Sequence, residues 1–498
     1  MAWHDNLQDP KARDEAAIIV REFAGRNIDI GGVATPDGGV AYMYAEGQFL
    51  AREQHLDDIQ GVLGDRAQAD VVRRVIRDVV LVKIGSPAGN GDGTAESNDS
   101  ASESNGGNAE GSTRPPEGNG GITESERPAL LRYLDEIHAA HGPRIAALDH
   151  VVTAAGNPSG CPATEPQEVY DPEPSPAVCP GNGGDGVRIY VADTGFVEDT
   201  VTSCPWLTGV TGDSDPSVAA DGTILPYGGH GTFVAGVIRS MAPGAEIVVK
   251  NVFDTAGSAL ESDFVPKLNE GFAYGAEIFH VTVASPTLDN HPLMAFETWL
   301  EHLRQHKGVV CVAPAGNNDE RKPCWPGAFS GVISVGALST DWRSRAYFSN
   351  YGGPVDVYAP GQDLVNAFAK GSYTCHVEPF TGEVRRFSGM AQWSGTSFST
   401  PIVTGLIAAR MARYGESGQE AAEALLAKAR AQAIPGVGPV LFPYCGDDDD
   451  QRHGGRCGHG CGGSGHGCGG GGHGCCGGHG CGGGDCGGGH GKYGPRPR

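Results

Sequence analysis

Three short segments hold the residues that could carry out covalent chemistry. VRIYVADTGF runs an apolar strand directly into Asp193, followed by Thr194 and Gly195. The carboxylate therefore stands at the carboxyl end of a buried strand, the edge where ligands of open α/β sheets gather. GGHGTFVAGVI brackets His230 with Gly228, Gly229 and Gly231 ahead of an apolar helix. Glycine lets other backbone come close to the imidazole, and the positive end of the helix dipole discourages a resting charge there, which suits a general base. In SGTSFSTPIVTG, Ser397 precedes the run IVTGLIAARM and so opens a long helix, with Pro401 expected in its first turn, where a missing amide costs little. Each residue alone has a plain structural explanation: a turn-forming Asp, a loop His, an N-cap Ser. Together, a carboxylate, an imidazole and a hydroxyl are the parts of an activated nucleophile.

VADTG, GHGTFVAG and GTSFSTP, in the order Asp, His, Ser, resemble the three signature segments of the subtilisin-like serine proteases of peptidase S8 type. The resemblance covers roughly residues 183–432 and includes MAPGAEIVVKNVFD at 241–254 and CVAPAGN ending at Asn317. It implies a serine endopeptidase in which Ser397 attacks the scissile carbonyl, His230 relays the proton and Asp193 orients the imidazole. It also implies that Asn317, presented after Gly316, and the Ser397 backbone N–H receive the oxyanion. One segment departs from the family. Where its members usually have Ser-Leu-Gly-Gly on the strand that pairs with substrate, this chain has Thr282, Val283, Ala284 and Ser285. With Gly316 these are the expected substrate-binding residues, and the added side chains of Ala284 and Ser285 favour smaller substrate residues. The peptide should still add as a strand, since main-chain pairing needs no particular side chain. The resemblance implies no cofactor for catalysis. Family members often bind structural calcium, but no ligand cluster for it is assignable here.

These residues must be positioned by a parallel sheet. VRIYVAD, EIVVKNV, EIFHVTV, GVVCVAP and GVISVGA are continuous apolar runs alternating with helical segments, the pattern of strands covered by helices on both faces. This α/β body is expected over residues 185–432. Ahead of it, residues 40–50 read as a strand, 52–64 as a helix, 71–84 end in the strand-like VVLVKI, 129–142 read as a helix and 148–156 as a strand. Residues 1–84 and 127–156 are thus expected to form one small ferredoxin-like α/β domain. It is interrupted at 85–126 by a Gly/Ser/Asn/Asp-rich insert too polar to fold. Its place resembles that of the family's propeptides, with cleavage expected in the Pro-rich connector 157–184.

The net charge of −24 is −28 before residue 451 and +4 after it, which argues against nucleic acid or an anionic membrane as partner. A peptide or protein substrate is the expected partner, and nothing requires more than a monomer. Half of residues 451–498 are Gly, so the segment 433–498 reads as a disordered tail. Its His459, Cys461, His466, Cys468, His473 and Cys475 are weak candidates for zinc or copper. The six cysteines before residue 400 allow fifteen disulfide pairings or none. The start MAWHDNLQDP shows no signal peptide, so a cytoplasmic location is expected, with secretion left open. Two other readings remain: a catalytically silent scaffold that binds peptides in the same cleft, and a metal-binding protein acting through its tail.

Overall fold

The computed structural model describes residues 2–85, 127–154, 163–170 and 173–445. Of the insert expected over 85–126, Gly85 ends a strand; its other residues and the candidate metal ligands of the tail lie outside the described residues. Helix α1 (Pro10–Ala24) is capped by Asp9, whose side chain accepts from the Lys11 amide, with Pro10 at its first position. Next come β1 (Ile30–Ala34), β2 (Val40–Arg52), α2 (Leu56–Leu63), β3 (Gln68–Ile76), β4 (Val79–Gly85), α3 (Ala129–His141) and β5 (Ala146–Thr153). The order β5-β2-β4-β3 is antiparallel throughout, with β1 added on β2, so the unit is ferredoxin-like as expected. The segment 71–84 is not one strand but the hairpin β3–β4, turned at Arg77, whose φ is +47°. Its first strand carries Arg73 and Arg74 and exposes Val71 and Val72, so it lacks an apolar signature.

The body contains β6 (Arg188–Asp193), β7 (Thr211–Gly212), β8 (Thr223–Ile224), α4 (His230–Met241), β9 (Glu246–Asn251), β10 (Ser258–Leu260), α5 (Glu261–Tyr274), β11 (Ile278–Val281), α6 (Met294–Leu303), β12 (Val310–Pro314), β13 (Val332–Leu338), β14 (Val357–Pro360), β15 (Leu364–Thr374), β16 (Val384–Trp393), α7 (Thr396–Tyr414) and α8 (Gly418–Ala431). The main sheet, β14-β13-β12-β11-β6-β9-β7, is parallel throughout. Alternation along β6 sends Ile189 and Val191 into a core with α4, α7 and α8, and Tyr190 and Ala192 into a second core with α5 and α6. Both faces are therefore covered, as the apolar runs predict. Pro401 is the sixth residue of α7 rather than part of its first turn. There it leaves the Ser397 carbonyl without an i+4 amide partner.

Two connections matter for the site. β5 pairs antiparallel with β10, Thr153 opposite Ser258 and Val151 opposite Leu260, so one sheet runs from the first unit into the body. Residues 433–445 do not start the tail. Val440 and Leu441 are buried against Tyr358, and Cys445 forms a disulfide with Cys179 across 266 residues.

Candidate active site

Asp193 ends β6 and His230 begins α4, and both side chains are fully buried. The imidazole Nδ1 lies 2.7 Å from Asp193 Oδ1 and 3.0 Å from Oδ2. With Nδ1 donating to the carboxylate, Nε2 carries the lone pair, and it has no hydrogen-bond partner among the described residues. The ring is wedged between Trp393 and Phe398, at centroid distances of 5.6 and 5.2 Å, which fixes its plane. The glycines are needed here: Gly229 sits at φ +81°, and a Cβ on Gly231 would stand 2.3 Å from the Gly195 carbonyl oxygen.

Ser397 is the second residue of α7. Its hydroxyl donates to the carbonyl of Ala154 at 3.2 Å, the residue that follows β5. The amide of Ala154 donates to Gly257 O at 3.0 Å, so this segment lies across the site as an extended peptide. Its far side faces the 282–285 segment: the Ala284 amide reaches Thr153 O at 3.4 Å and Ser285 Oγ reaches Val151 O at 3.0 Å. Thr282 Oγ1 donates to Ala192 O, tying the segment to the strand that carries Asp193. Val283 is buried in the core that also holds Val152 and Ala154.

Asn317 follows Gly316, which has φ +102° and so suits glycine. Asn317 Oδ1 accepts from both the Thr396 amide and hydroxyl at 2.9 Å, which puts the donor prong of the amide, Nδ2, on the other side. The Gly316 amide donates to Thr396 Oγ1. Asn350 braces the turn from behind, donating to Ala315 O and accepting from the Asn318 and Glu320 amides. Asp193 and His230 are thus in direct contact, Ser397, Ala284 and Ser285 each touch the segment 151–154, and Asn317 touches the residue before Ser397.

Sequence reasoning missed Asp215. Buried in a loop, it accepts from the Ser217 amide at 2.9 Å, the Gly229 amide at 2.7 Å and Thr194 Oγ1 at 2.9 Å. Thr194 Oγ1 in turn accepts from the Gly231 amide. One carboxyl thus joins the residue after Asp193 to the residues on either side of His230. Burial pushes its pKa up to about 6. His280 was missed as well. Fully buried on β11, it is linked through Nδ1 to Thr404 Oγ1 at 2.9 Å and kept neutral by desolvation, which lowers its pKa to about 3. No signal in DSDPSV or EIFHVTV marks either residue. Among the described residues no group of three or more His, Cys, Asp or Glu is placed to hold a metal ion, so none of them fits a calcium site made of such ligands.

The model of the subtilase family of peptidases matches residues 184–462, more than half of the chain. The chain belongs to the subtilase family. Its parallel sheet with helices on both faces is the family's fold. Over 276 residues it is 32% identical to a thermophilic serine proteinase of Bacillus sp. (strain AK1), covering 53% of this chain and 60% of that relative's length. It is 29% identical over 266 residues to thermitase of Thermoactinomyces vulgaris, covering 51% of this chain and 84% of that relative. Fervidolysin of Fervidobacterium pennivorans aligns over 80% of this chain and 60% of its own, with 18% identity and a TM-score of 0.48. No helix among the described residues is long and apolar enough to cross a membrane.

Proposed function

We propose that this subtilase is a serine endopeptidase held shut, in the form described, by its own leading segment. The observation that carries the reading is the Ser397 hydroxyl bonded to the Ala154 carbonyl, at the end of a strand lying where an extended substrate would lie. In this reading Ser397 Oγ, once turned toward His230 Nε2, gives up its proton to the imidazole as it bonds to the scissile carbonyl carbon. The Asp193 carboxylate, on Nδ1 of that ring, steadies the imidazolium. The negative oxygen of the tetrahedral intermediate is received by Asn317 Nδ2 and the Ser397 amide. As the C–N bond breaks, His230 returns the proton to the leaving amine, and water then hydrolyses the acyl ester by the same relay. No metal or cofactor is needed for any of these steps.

The same contact supports a maturation cut upstream of the Pro-rich connector 157–184. In this reading the cut falls after Ala154, because the carbonyl at the nucleophile is that of Ala154. Labelling with a serine-directed fluorophosphonate, read by intact mass beside a Ser397→Ala control, tests the reading. The expected result is a label absent from the control and a leading fragment that ends at Ala154. A chain that neither labels nor cuts itself would instead fit a peptide-binding scaffold.

A further inference from the structure

The 282–285 segment forms one wall of the cleft, and its grip on the docked strand is uneven. Among the described residues, the one main-chain bond from this wall to the strand, Ala284 N to Thr153 O, is long at 3.4 Å. Ser285 cannot supply another from its own backbone, because both its amide and its carbonyl are taken by Trp325, at 2.7 and 2.9 Å. Its hydroxyl does the work instead, donating to Val151 O at 3.0 Å, with Ser285 and Val151 each only 3% exposed. The carbonyls of Val151 and Thr153, two residues apart, both face this wall, as strand alternation requires. Without the hydroxyl, the Val151 carbonyl would be buried without its partner on this side, and such a loss is not recovered from water.

We propose that Ser285 is a specificity-determining residue: its hydroxyl captures the main-chain carbonyl of the substrate residue in the Val151 position and so selects extended peptides long enough to reach it. The inference rests on the protease reading above and deepens it. Every peptide residue offers a carbonyl, so Ser285 reads how far the substrate extends upstream and not which side chain stands there. The substrate class is an extended segment with at least three residues upstream of the Ala154 position. A glycine at residue 285 would leave this position unread, since the main chain there is already engaged.

Two measurements test this. The first uses the self-processed chain with and without Ser285→Ala on two acetylated peptides, one beginning at the Val151 position (Val-Val-Thr-Ala-Ala-Gly) and one at the Thr153 position (Thr-Ala-Ala-Gly). The ratio of kcat/KM, long over short, is expected to fall about fivefold in the variant, the size of one lost hydrogen bond. An unchanged ratio overturns the proposal. The second needs no catalysis. In the full chain carrying Ser397→Ala, adding Ser285→Ala should speed hydrogen exchange of the Val152 and Thr153 amides about fivefold, and unchanged exchange overturns the contact. If the parent cleaves neither peptide, the protease reading fails, while the exchange result still decides for or against Ser285.

Discussion

Asp215 offers the sharpest test of how the site is held, because its carboxyl has three donors and, among the described residues, no cation paired with it. In the folded chain burial holds its pKa at about 6, against an ordinary value of 3.8. A group whose pKa rises on folding contributes stability that is fully present below the unfolded value and lost as pH climbs through the folded one. The full loss is about 3 kcal/mol at 1.36 kcal/mol per pH unit, and about 2 kcal/mol of it falls between pH 4.5 and pH 7.5. Asp215→Asn keeps the shape but does not titrate. Its amide turns an N–H₂ toward a donor, the Gly229 amide or the Thr194 hydroxyl, at a pH-independent cost of about 1–3 kcal/mol. The assay is urea unfolding of the two chains across that pH range, both carrying Ser397→Ala to prevent self-digestion. All other carboxyls cancel in the difference. The stability advantage of the parent over the variant should shrink by about 2 kcal/mol from pH 4.5 to pH 7.5. A gap that stays constant, or widens, would refute the argument that Asp215 is protonated in the folded chain near pH 5.

Two further outcomes are expected. Asn317→Ala should slow self-processing and peptide turnover ~100–1,000-fold, the usual cost of one oxyanion donor, with fluorophosphonate labelling of Ser397 reduced but still detectable by mass. Cys179→Ser should lower stability by about 2–4 kcal/mol, seen as a lower midpoint in chemical unfolding. Reduction of the parent with dithiothreitol should reproduce the shift and leave the variant unmoved.

What could be read from the sequence was what local pattern encodes. The strand before Asp193, the glycines around His230 and the helix after Ser397 each declare themselves within about a dozen residues, and the structure brings these segments together. The parallel sheet was legible because strands buried on both faces are apolar at every position. Other parts were hidden for definite reasons. β3 and β16 are half polar edge-type strands, the latter beginning VRRF, so periodicity blurs. Asp215 is named by its partners at residues 194, 217 and 229 and not by its neighbours in DSDPSV. Residues 10–24 carry helix signals of the same local kind, with Asp9-Pro10 at the start and buried Ala12, Ala16, Ile19 and Phe23 at helical spacing. From sequence Ser285 shows only as an added side chain on the cleft floor, whereas its hydroxyl bonds to a carbonyl of the docked strand, a role that depends on Trp325 having taken its main chain.

The pairing of β5 with β10 would bear on colloidal behaviour once the leading segment leaves as proposed. Removal of residues up to Ala154 would bare β10 as an open edge, and open edges are templates for sheet-to-sheet association between molecules. Here the exposed ladder is only Ser258–Leu260, about 10 Å of strand. That is too short to hold a second folded molecule by backbone pairing alone. A thin, extended chain slipped between β10 and Ala284-Ser285 finds partners on both sides at once. Under the proposed release, the short edge would admit extended chain and discourage docking of intact sheets, which would keep a concentrated enzyme from clumping through its own cleft.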